Sequence, residues 1–293
     1  MKKWIATLLI LFSHYILKGQ IEIPLQIDDG GYISLKVKLN DKEEARFLLD
    51  TGGGVNVVSQ SLFNKLGSLS EAGLHTGTRH NGEQITGMLY FLPSFSIGSF
   101  TKKNVIIGQY ADLGNYDGIL SMSYFEDVPF SIDFVNRKLQ IETKESVEKI
   151  SSNAQATPIE VKKVGNYEID LFVKICINDS VQARAEFDTG AGFNMLMLHP
   201  TYMKKLNINI PDKKTDYGYY VYSTTLSKLS YCGLGKLYET NHFVGFKEGL
   251  IYEGLIGSGM FRKDKITINL PGHELLYGTN KNVRTLTFRQ EIR

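Results

Sequence analysis

The sequence predicts an all-β protein with minor short helices, in which one structural unit occurs twice. Three observations predict this: apolar and polar residues alternate with a period of two, few segments show helical periodicity, and the second half repeats landmarks of the first. With 293 residues, of which 42% are hydrophobic and 22% charged, the chain has the composition of a globular protein. Its formal net charge of +2 gives no basic field that would favour nucleic acid.

The N-terminal segment has the features of a removable secretory signal. Lys2 and Lys3 precede an apolar run over residues 4–12, which is too short to span a bilayer comfortably. Cleavage is expected after Gly19 or Gln20, and a retained N-terminal anchor is the alternative. We therefore expect an exported protein. It would be periplasmic or secreted, and association with the outer surface is a further alternative. After signal removal it would have no stable membrane insertion.

The remainder of the chain is an internal repeat. Residues 35–52 align with residues 173–190 at an offset of 138. Further along, residues 116–120 align with residues 252–256 at an offset of 136. Two shared landmarks in the same order indicate a duplicated domain.

The repeat predicts the organisation of the chain. A signal peptide over residues 1–20 precedes an N-terminal lobe over residues 21–148 and a C-terminal lobe over residues 149–293. Because residues 144–157 are polar and poor in large apolar side chains, we interpret them as the linker.

Local patterns predict mainly strands within each half. Residues 33–39 alternate apolar and polar side chains between turn-forming segments at residues 28–31 and 40–42. Residues 47–49 form a continuous apolar run, which is typical of a strand buried on both faces. Further predicted elements are short strands at residues 55–58 and 193–196, a helix at 60–66 behind a Ser59 cap, and a helix at 200–206 with proline in its first turn.

Each half carries an Asp-Thr-Gly triplet directly after its apolar strand. The triplets are Asp50-Thr51-Gly52 and Asp188-Thr189-Gly190. Two aspartates within hydrogen-bonding distance cannot both ionise, so they share a proton. The charged carboxylate can take a proton from water while the protonated one donates to a substrate carbonyl oxygen. The glycines permit close approach of the two loops, and the threonine hydroxyls are suited to tying them together.

These motifs resemble the aspartic protease superfamily, in its two-lobed pepsin-like or retropepsin-like arrangement. The resemblance rests on residues 47–53 and 185–191, and on residues 117–120 and 254–257, which resemble the apolar-apolar-Gly element behind each catalytic loop. It implies a duplicated, double-psi-like β-barrel fold with the active site between two lobes. It also implies an aspartic endopeptidase, without metal or organic cofactor, that acts on peptide or protein. Because each predicted lobe supplies one aspartate, we expect the active unit to be a monomer.

The resemblance further assigns roles to individual residues. Asp50 and Asp188 would form the catalytic dyad, supported by Thr51, Gly52, Thr189 and Gly190. The hairpin that covers the substrate in this family would lie within residues 76–91, with His80 and Tyr90 as candidates for its substrate-binding residue.

Three positions depart from the family pattern. Ser121 stands where the apolar-apolar-Gly element usually ends in glycine. Gly53 and Ala191 follow the triplets, where acid-acting pepsins typically carry Ser or Thr. Losing a hydroxyl that bonds an aspartate removes a contribution that favours the charged form, so we expect a pH optimum nearer neutral.

Several alternatives stay open at the level of sequence. A duplicated protein of this kind that only binds peptide is one, and a processing protease with one partner protein is another. No His-Glu-x-x-His motif or close His/Cys cluster predicts a zinc site, and serine or cysteine catalysis is unsupported. Cys176 and Cys232 lie in the same predicted lobe, where export allows pairing, yet the other lobe has no cysteine.

Overall fold

The computed structural model describes residues 21–208, 222–234, 237–278 and 284–287. The predicted signal segment lies outside these residues. Strands dominate the described part and the helices are short, so the all-β prediction is confirmed. None of the helices described is long and apolar enough to cross a membrane.

The first half of the structure comprises eleven strands and two helices. Its strands are β1 (Ile21–Pro24), β2 (Gln26–Ile27), β3 (Ile33–Leu39), β4 (Glu43–Leu49), β5 (Val57–Ser59), β6 (Ser70–Thr78), β7 (Gln84–Ile97), β8 (Phe100–Tyr110), β9 (Gly118–Leu120), β10 (Phe130–Asp133) and β11 (Lys138–Ile141). Its helices are α1 (Gln60–Leu66) and α2 (Lys144–Ser151), with a 3-10 turn at Met122–Phe125.

The second half comprises twelve described strands and one α-helix. Its strands are β12 (Gln155–Val164), β13 (Glu168–Ile177), β14 (Val181–Phe187), β15 (Leu196–Leu198), β16 (Tyr222–Leu226), β17 (Leu229–Tyr231), β18 (Leu237–Thr240), β19 (His242–Phe246), β20 (Gly254–Ile256), β21 (Lys265–Asn269), β22 (Glu274–Tyr277) and β23 (Arg284–Thr287). One α-helix, α3 (Thr201–Lys205), and 3-10 turns at Thr189–Ala191 and Gly259–Phe261 complete the described elements.

Corresponding strands pair in the same way in both halves. In the first, β4 runs antiparallel to β3 and parallel to β9, and β5 lies between β9 and β8. In the second, β14 runs antiparallel to β13 and parallel to β20, and β15 lies between β20 and β19. The strand leading to each Asp-Thr-Gly triplet is therefore held between two neighbours at its inner end.

A shared sheet joins the halves. Its strand order is β1-β11-β10-β21-β22-β12, all antiparallel, so that β10 of the first half pairs with β21 of the second. The hydrophobic core is also continuous across both halves. Phe47 on β4 meets Phe95 edge-on at 5.3 Å, and Phe187 on β14 meets Phe261 at 6.1 Å, so both strands that carry the triplets rest on packed aromatic rings.

The bounds of the predicted elements differ from the observed bounds at one helix and at the strands that follow the triplets. Helix α1 begins and ends as predicted, and the side chain of Ser59 caps it by accepting from the N–H of Leu62. Helix α3 is shorter by one residue at each end than predicted, and the strands after the triplets begin two or three residues later. The chain needs those extra residues for the loops that bring the triplets together.

The polar segment interpreted as the linker, residues 144–157, has regular secondary structure. The segment contains α2, which begins with a capping box between Thr143 and Ser146 and buries Val147, and it ends in β12. Strand β12 pairs with β22 and β13, so this polar segment is part of the folded structure. The capping box is a sequence signal for a helix start, and the low apolar content of the segment obscured it.

Candidate active site

The two aspartates lie at equivalent places, one at the end of β4 and one at the end of β14. The N–H of Asp50 donates to Leu120 O at 3.0 Å, and the N–H of Asp188 donates to Ile256 O at 2.9 Å. In both halves the parallel neighbour therefore anchors the aspartate at the point where the strand becomes a loop.

The adjacent threonines interlock beneath the carboxyls. The N–H of Thr51 donates to Thr189 Oγ1 at 3.1 Å, and the N–H of Thr189 donates to Thr51 Oγ1 at 2.9 Å. The hydroxyl of Thr189 donates to Leu49 O at 2.7 Å, and that of Thr51 donates to Phe187 O. Both threonines are fully buried, so these four bonds fix the relative position of the loops without competition from water.

The glycines bring each loop against the opposite carboxyl. A Cβ atom added to Gly52 would lie 2.7 Å from Asp188 Cγ, and one added to Gly190 would lie 2.5 Å from Asp50 Cγ. Real Cβ atoms do not approach other heavy atoms so closely, so the arrangement requires glycine at both positions. The Asp-Thr-Gly pairing predicted from the repeat is thus a reciprocal contact between the two halves.

Backbone N–H groups also bind the carboxyls, although in different ways. Asp50 Oδ1 accepts from the N–H of Gly52 at 3.0 Å, whereas Asp188 Oδ1 accepts from the N–H of Ala191 at 3.1 Å. Ala191 therefore contributes a backbone donor, and its methyl side chain provides no hydroxyl to the dyad. Gly53, which follows the triplet of Asp50, likewise provides no hydroxyl to the dyad.

The electrostatics of the two carboxyls are unequal. Burial raises the pKa of Asp50, but hydrogen bonds from Asp188 and from the backbone of Gly52 partly offset that rise. Burial raises the pKa of Asp188 well above its usual range, and the negative charges of Asp50 and Glu186 raise it further. The pKa of both carboxyls is thus raised, and the surroundings of Asp188 favour its protonated form more than those of Asp50 do.

The serine that departs from the family pattern fits its place. The N–H of Ser121 donates to Asn56 Oδ1 at 3.0 Å, and its side chain is fully buried. At the equivalent point, a Cβ added to Gly257 would lie 2.0 Å from Gly192 O. Glycine is therefore required in the second half, whereas the path of the chain in the first half has room for serine.

The hairpin formed by β6 and β7 reaches from the first half to the second. At its turn, the carbonyl of His80 accepts from the N–H of Ile251 at 3.0 Å. On β6, His75 Nε2 lies 3.2 Å from Glu168 Oε2, and its ring meets that of Tyr167 at 5.1 Å. The hairpin predicted within residues 76–91 thus forms a strap between the halves.

The two candidate residues of this hairpin lie in different surroundings. His80 is at the turn, where burial lowers the pKa of its imidazole and the charges of Lys247 and Arg79 add to the effect. Tyr90 lies further along β7 and packs on Phe63 of α1 at 4.7 Å. Sequence reasoning missed His75, Tyr167 and Glu168, because nothing local indicates that they meet across the halves.

Two further questions from the sequence concern metals and cysteines. Within the described ranges, no three His, Cys, Asp or Glu side chains are grouped so that they would hold a metal ion. Cys176 and Cys232 form a disulfide with a Cα–Cα distance of 5.4 Å, which ties β13 to the residue after β17. The pairing left open by the sequence is thus present in the structure.

Comparisons with known proteins found one matching family and solved structures with a similar fold. Residues 35–124, which include Asp50 and β9, match the aspartyl protease family. The basic 7S globulin from soybean aligns with a TM-score of 0.52 and 11% identity, covering 89% of this chain and 95% of that one. Conglutin gamma, a basic 7S globulin from lupine seeds, aligns with a TM-score of 0.55 and 10% identity over the same shares. At such identities the similarity is one of fold alone, and no curated protein matches the sequence.

Proposed function

Since the chain has the fold of the aspartic protease superfamily and matches its aspartyl protease family over residues 35–124, we propose that it is an exported aspartic endopeptidase. The observation that supports this most is the reciprocal packing of Gly52 on Asp188 and of Gly190 on Asp50. It brings one carboxyl from each half together, which is the arrangement that acid–base hydrolysis of a peptide bond needs.

The unequal electrostatics assign a role to each aspartate. Asp50, the charged member, takes a proton from a water molecule held between the carboxyls, and the water oxygen then bonds to the peptide carbonyl carbon. Asp188, the protonated member, donates a hydrogen bond to the carbonyl oxygen as negative charge develops there. The proton on Asp50 then passes to the departing amide nitrogen as the C–N bond breaks, and the dyad returns to its starting charge.

The hairpin strap would cover the bound peptide. Peptide entering beneath β6 and β7 must separate His75 from Glu168 and His80 from Ile251, because these contacts close the strap onto the second half. The contact of the His75 ring with Tyr167 must also break, so opening of the strap would be a conformational step of the catalytic cycle.

Two features support export and a monomeric enzyme. The apolar N-terminal segment has the pattern of a secretory signal, and the disulfide between Cys176 and Cys232 suits an oxidising compartment. One chain supplies both aspartates, so no second copy is needed to complete the dyad. Mass spectrometry of the mature N-terminus and gel filtration test these two points.

The catalytic proposal is tested with a diverse peptide library. Purified mature protein should cleave library peptides, and Asp50→Asn and Asp188→Asn should each reduce kcat/KM by about 100-fold or more. Asp179→Asn is the matched control, because Asp179 is an exposed turn residue with a positive φ that asparagine tolerates. Cleavage that persists unchanged in both dyad variants would reject the assignment.

A second candidate is a peptide-binding protein that retains this fold without hydrolysis. The observation in its favour is that both structural neighbours are described as globulins. Binding of library peptides by wild type, with no cleavage across the pH range, would favour this alternative. A processing protease is distinguished from a degradative one by cleavage of a single site in one protein rather than of many library members.

A further inference from the structure

The two halves differ in charge at the positions that flank their aspartates. Glu186 precedes Asp188 by two residues, so both side chains leave β14 on the same side. Strand β13 pairs Phe172 with Glu186, and the charge of Asp170, two residues before Phe172, acts on Glu186. The internal offset of 138 aligns Glu186 with Leu48 and Asp170 with Tyr32, so the first half carries no acid at either position.

Both acidic side chains are buried. Glu186 is 4% exposed and Asp170 is 6% exposed. Among the residues that the structure describes, neither carboxyl takes part in a hydrogen bond or an ion pair. Burial raises the pKa of Asp170, and raises that of Glu186 well above its usual range, with the charges of Asp170 and Asp50 adding to the effect on Glu186.

Nearby cations compensate for these carboxyls only in part, because Arg184 and Lys162 lower the pKa of both groups while burial raises it by more. Arg184 forms a bidentate pair with Glu160 at 2.7 Å and stacks on the ring of Phe172 at 3.4 Å. Lys162 is exposed to solvent, and His75 on the strap contacts Glu168 rather than either of these carboxyls. Buried carboxyls without a counter-charge are costly, so a protein that keeps two of them beside its dyad has a use for them.

We propose that Glu186 and Asp170 form a subsite for a lysine or arginine side chain of the substrate, in one of the two residues that flank the scissile bond. This specificity rests on the proposed function. Asp188 must face the substrate to act on it, and Glu186 shares its side of the strand. A substrate ammonium or guanidinium provides the counter-charge that the free protein lacks, and Leu48 in the first half suits an apolar side chain on the other side of the bond.

The test compares matched peptides that carry lysine, norleucine or glutamate at each of the two positions flanking the bond. Norleucine has the length of the lysine stem without its charge. At one of the two positions, wild type should cleave the lysine peptide with a kcat/KM about 10-fold or more above the norleucine peptide, and glutamate should be the poorest. Equal rates for lysine and norleucine at both positions would overturn the subsite.

Substitutions of the two acidic residues test whether they confer the preference for lysine. Glu186→Leu installs the residue of the first half and should cleave the norleucine peptide while losing the preference for lysine. Asp170→Asn should reduce the same preference, and Glu148→Gln on the exposed face of α2 is the neutral control. If Glu186→Leu does not fold, judged by thermal melting, Glu186→Gln replaces it. A preference for lysine that survives in these variants would assign the selectivity elsewhere.

A binding measurement separates this proposal from the proposed function. Fluorescence anisotropy with the Asp50→Asn variant reports the affinity for each peptide without hydrolysis, and lysine peptides should bind about 10-fold or more tightly than norleucine peptides. Tighter lysine binding without any cleavage by wild type would reject the endopeptidase and keep the subsite. Cleavage by wild type together with equal binding of both peptides would support the endopeptidase and reject the subsite.

Discussion

Replacing Gly190 by alanine tests the reciprocal packing on which the candidate site rests. The backbone of Gly190 is not in the left-handed region, so alanine is tolerated there except for the space its Cβ needs. That atom would lie 2.5 Å from Asp50 Cγ and 2.6 Å from both carboxylate oxygens. The substitution therefore pushes directly on the dyad.

The expected effect follows from the distance. Ordinary van der Waals contact begins near 3.4 Å, so the carboxyl of Asp50 or the loop must move by about 0.9 Å. A misplacement of about 1 Å in a catalytic group costs about 100-fold in rate, or about 2.7 kcal/mol of transition-state stabilisation. For folding stability, overpacking costs about 1–3 kcal/mol, and the lower entropy of the unfolded alanine chain offsets about 0.4–1 kcal/mol of that.

The assay combines peptide hydrolysis with thermal melting. Gly190→Ala should lose about 100-fold in kcat/KM while remaining folded at 25 °C. Gly108→Ala is the matched control, because its Cβ would meet nothing closer than Leu89 Cδ2 at 3.6 Å, and it should keep the wild-type rate. If Gly190→Ala cleaves and melts like wild type, the close approach of the two loops does not exist in solution.

Three further predictions concern the surroundings of the site. Thr189→Val removes a buried hydroxyl that bonds both Thr51 N–H and Leu49 O, so urea denaturation should show a loss of about 1–3 kcal/mol; a loss below about 0.5 kcal/mol would contradict the interlock. Replacing Cys176 and Cys232 together by alanine opens a loop with a sequence separation of 56, which should cost up to about 4 kcal/mol; melting of wild type that is insensitive to reductant would argue against the disulfide. Folded Asp188 keeps its proton to a higher pH than the unfolded chain does, so its contribution to stability is complete below the usual value of 3.8 and is lost as pH rises through the raised folded pKa. Calorimetry should therefore show a smaller decline in stability from acid to neutral pH for Asp188→Asn than for wild type, and equal slopes would refute the raised pKa.

Much of the fold was predictable because its signals are local. The alternation in residues 33–39, the apolar run ending at Leu49 and the Ser59 cap each reflect interactions between neighbours in the chain, and all three predict elements that the structure contains. Helix α2 was missed because its capping box lies in a polar segment without a broad apolar face. The late start of the strands after the triplets was also out of reach, since it depends on how two loops pack on each other.

The dyad was predictable for a different reason, namely repetition. Two Asp-Thr-Gly triplets at the same offset as the rest of the repeat indicate that Asp50 and Asp188 occupy equivalent positions, and the resemblance to the aspartic protease superfamily implies that these positions meet between the lobes. The repeat does not show how the surroundings of the two aspartates differ. Burial raises the pKa of both carboxyls, and the greater rise at Asp188 comes from the charges of Asp50 and Glu186, while backbone donors oppose the rise at Asp50.

By itself the sequence determined the strand-rich architecture, the internal repeat and the two aspartates, because periodicity, capping and duplication are written in the order of residues. Only the tertiary structure decided which distant groups meet: the contact of His75 with Glu168, the disulfide, and the burial of Asp170 close enough to Glu186 for its charge to act there. These contacts join residues far apart in the chain, and their burial and charge depend on which faces of the strands come together. The separation of two residues along the chain does not indicate whether their side chains meet in the folded protein.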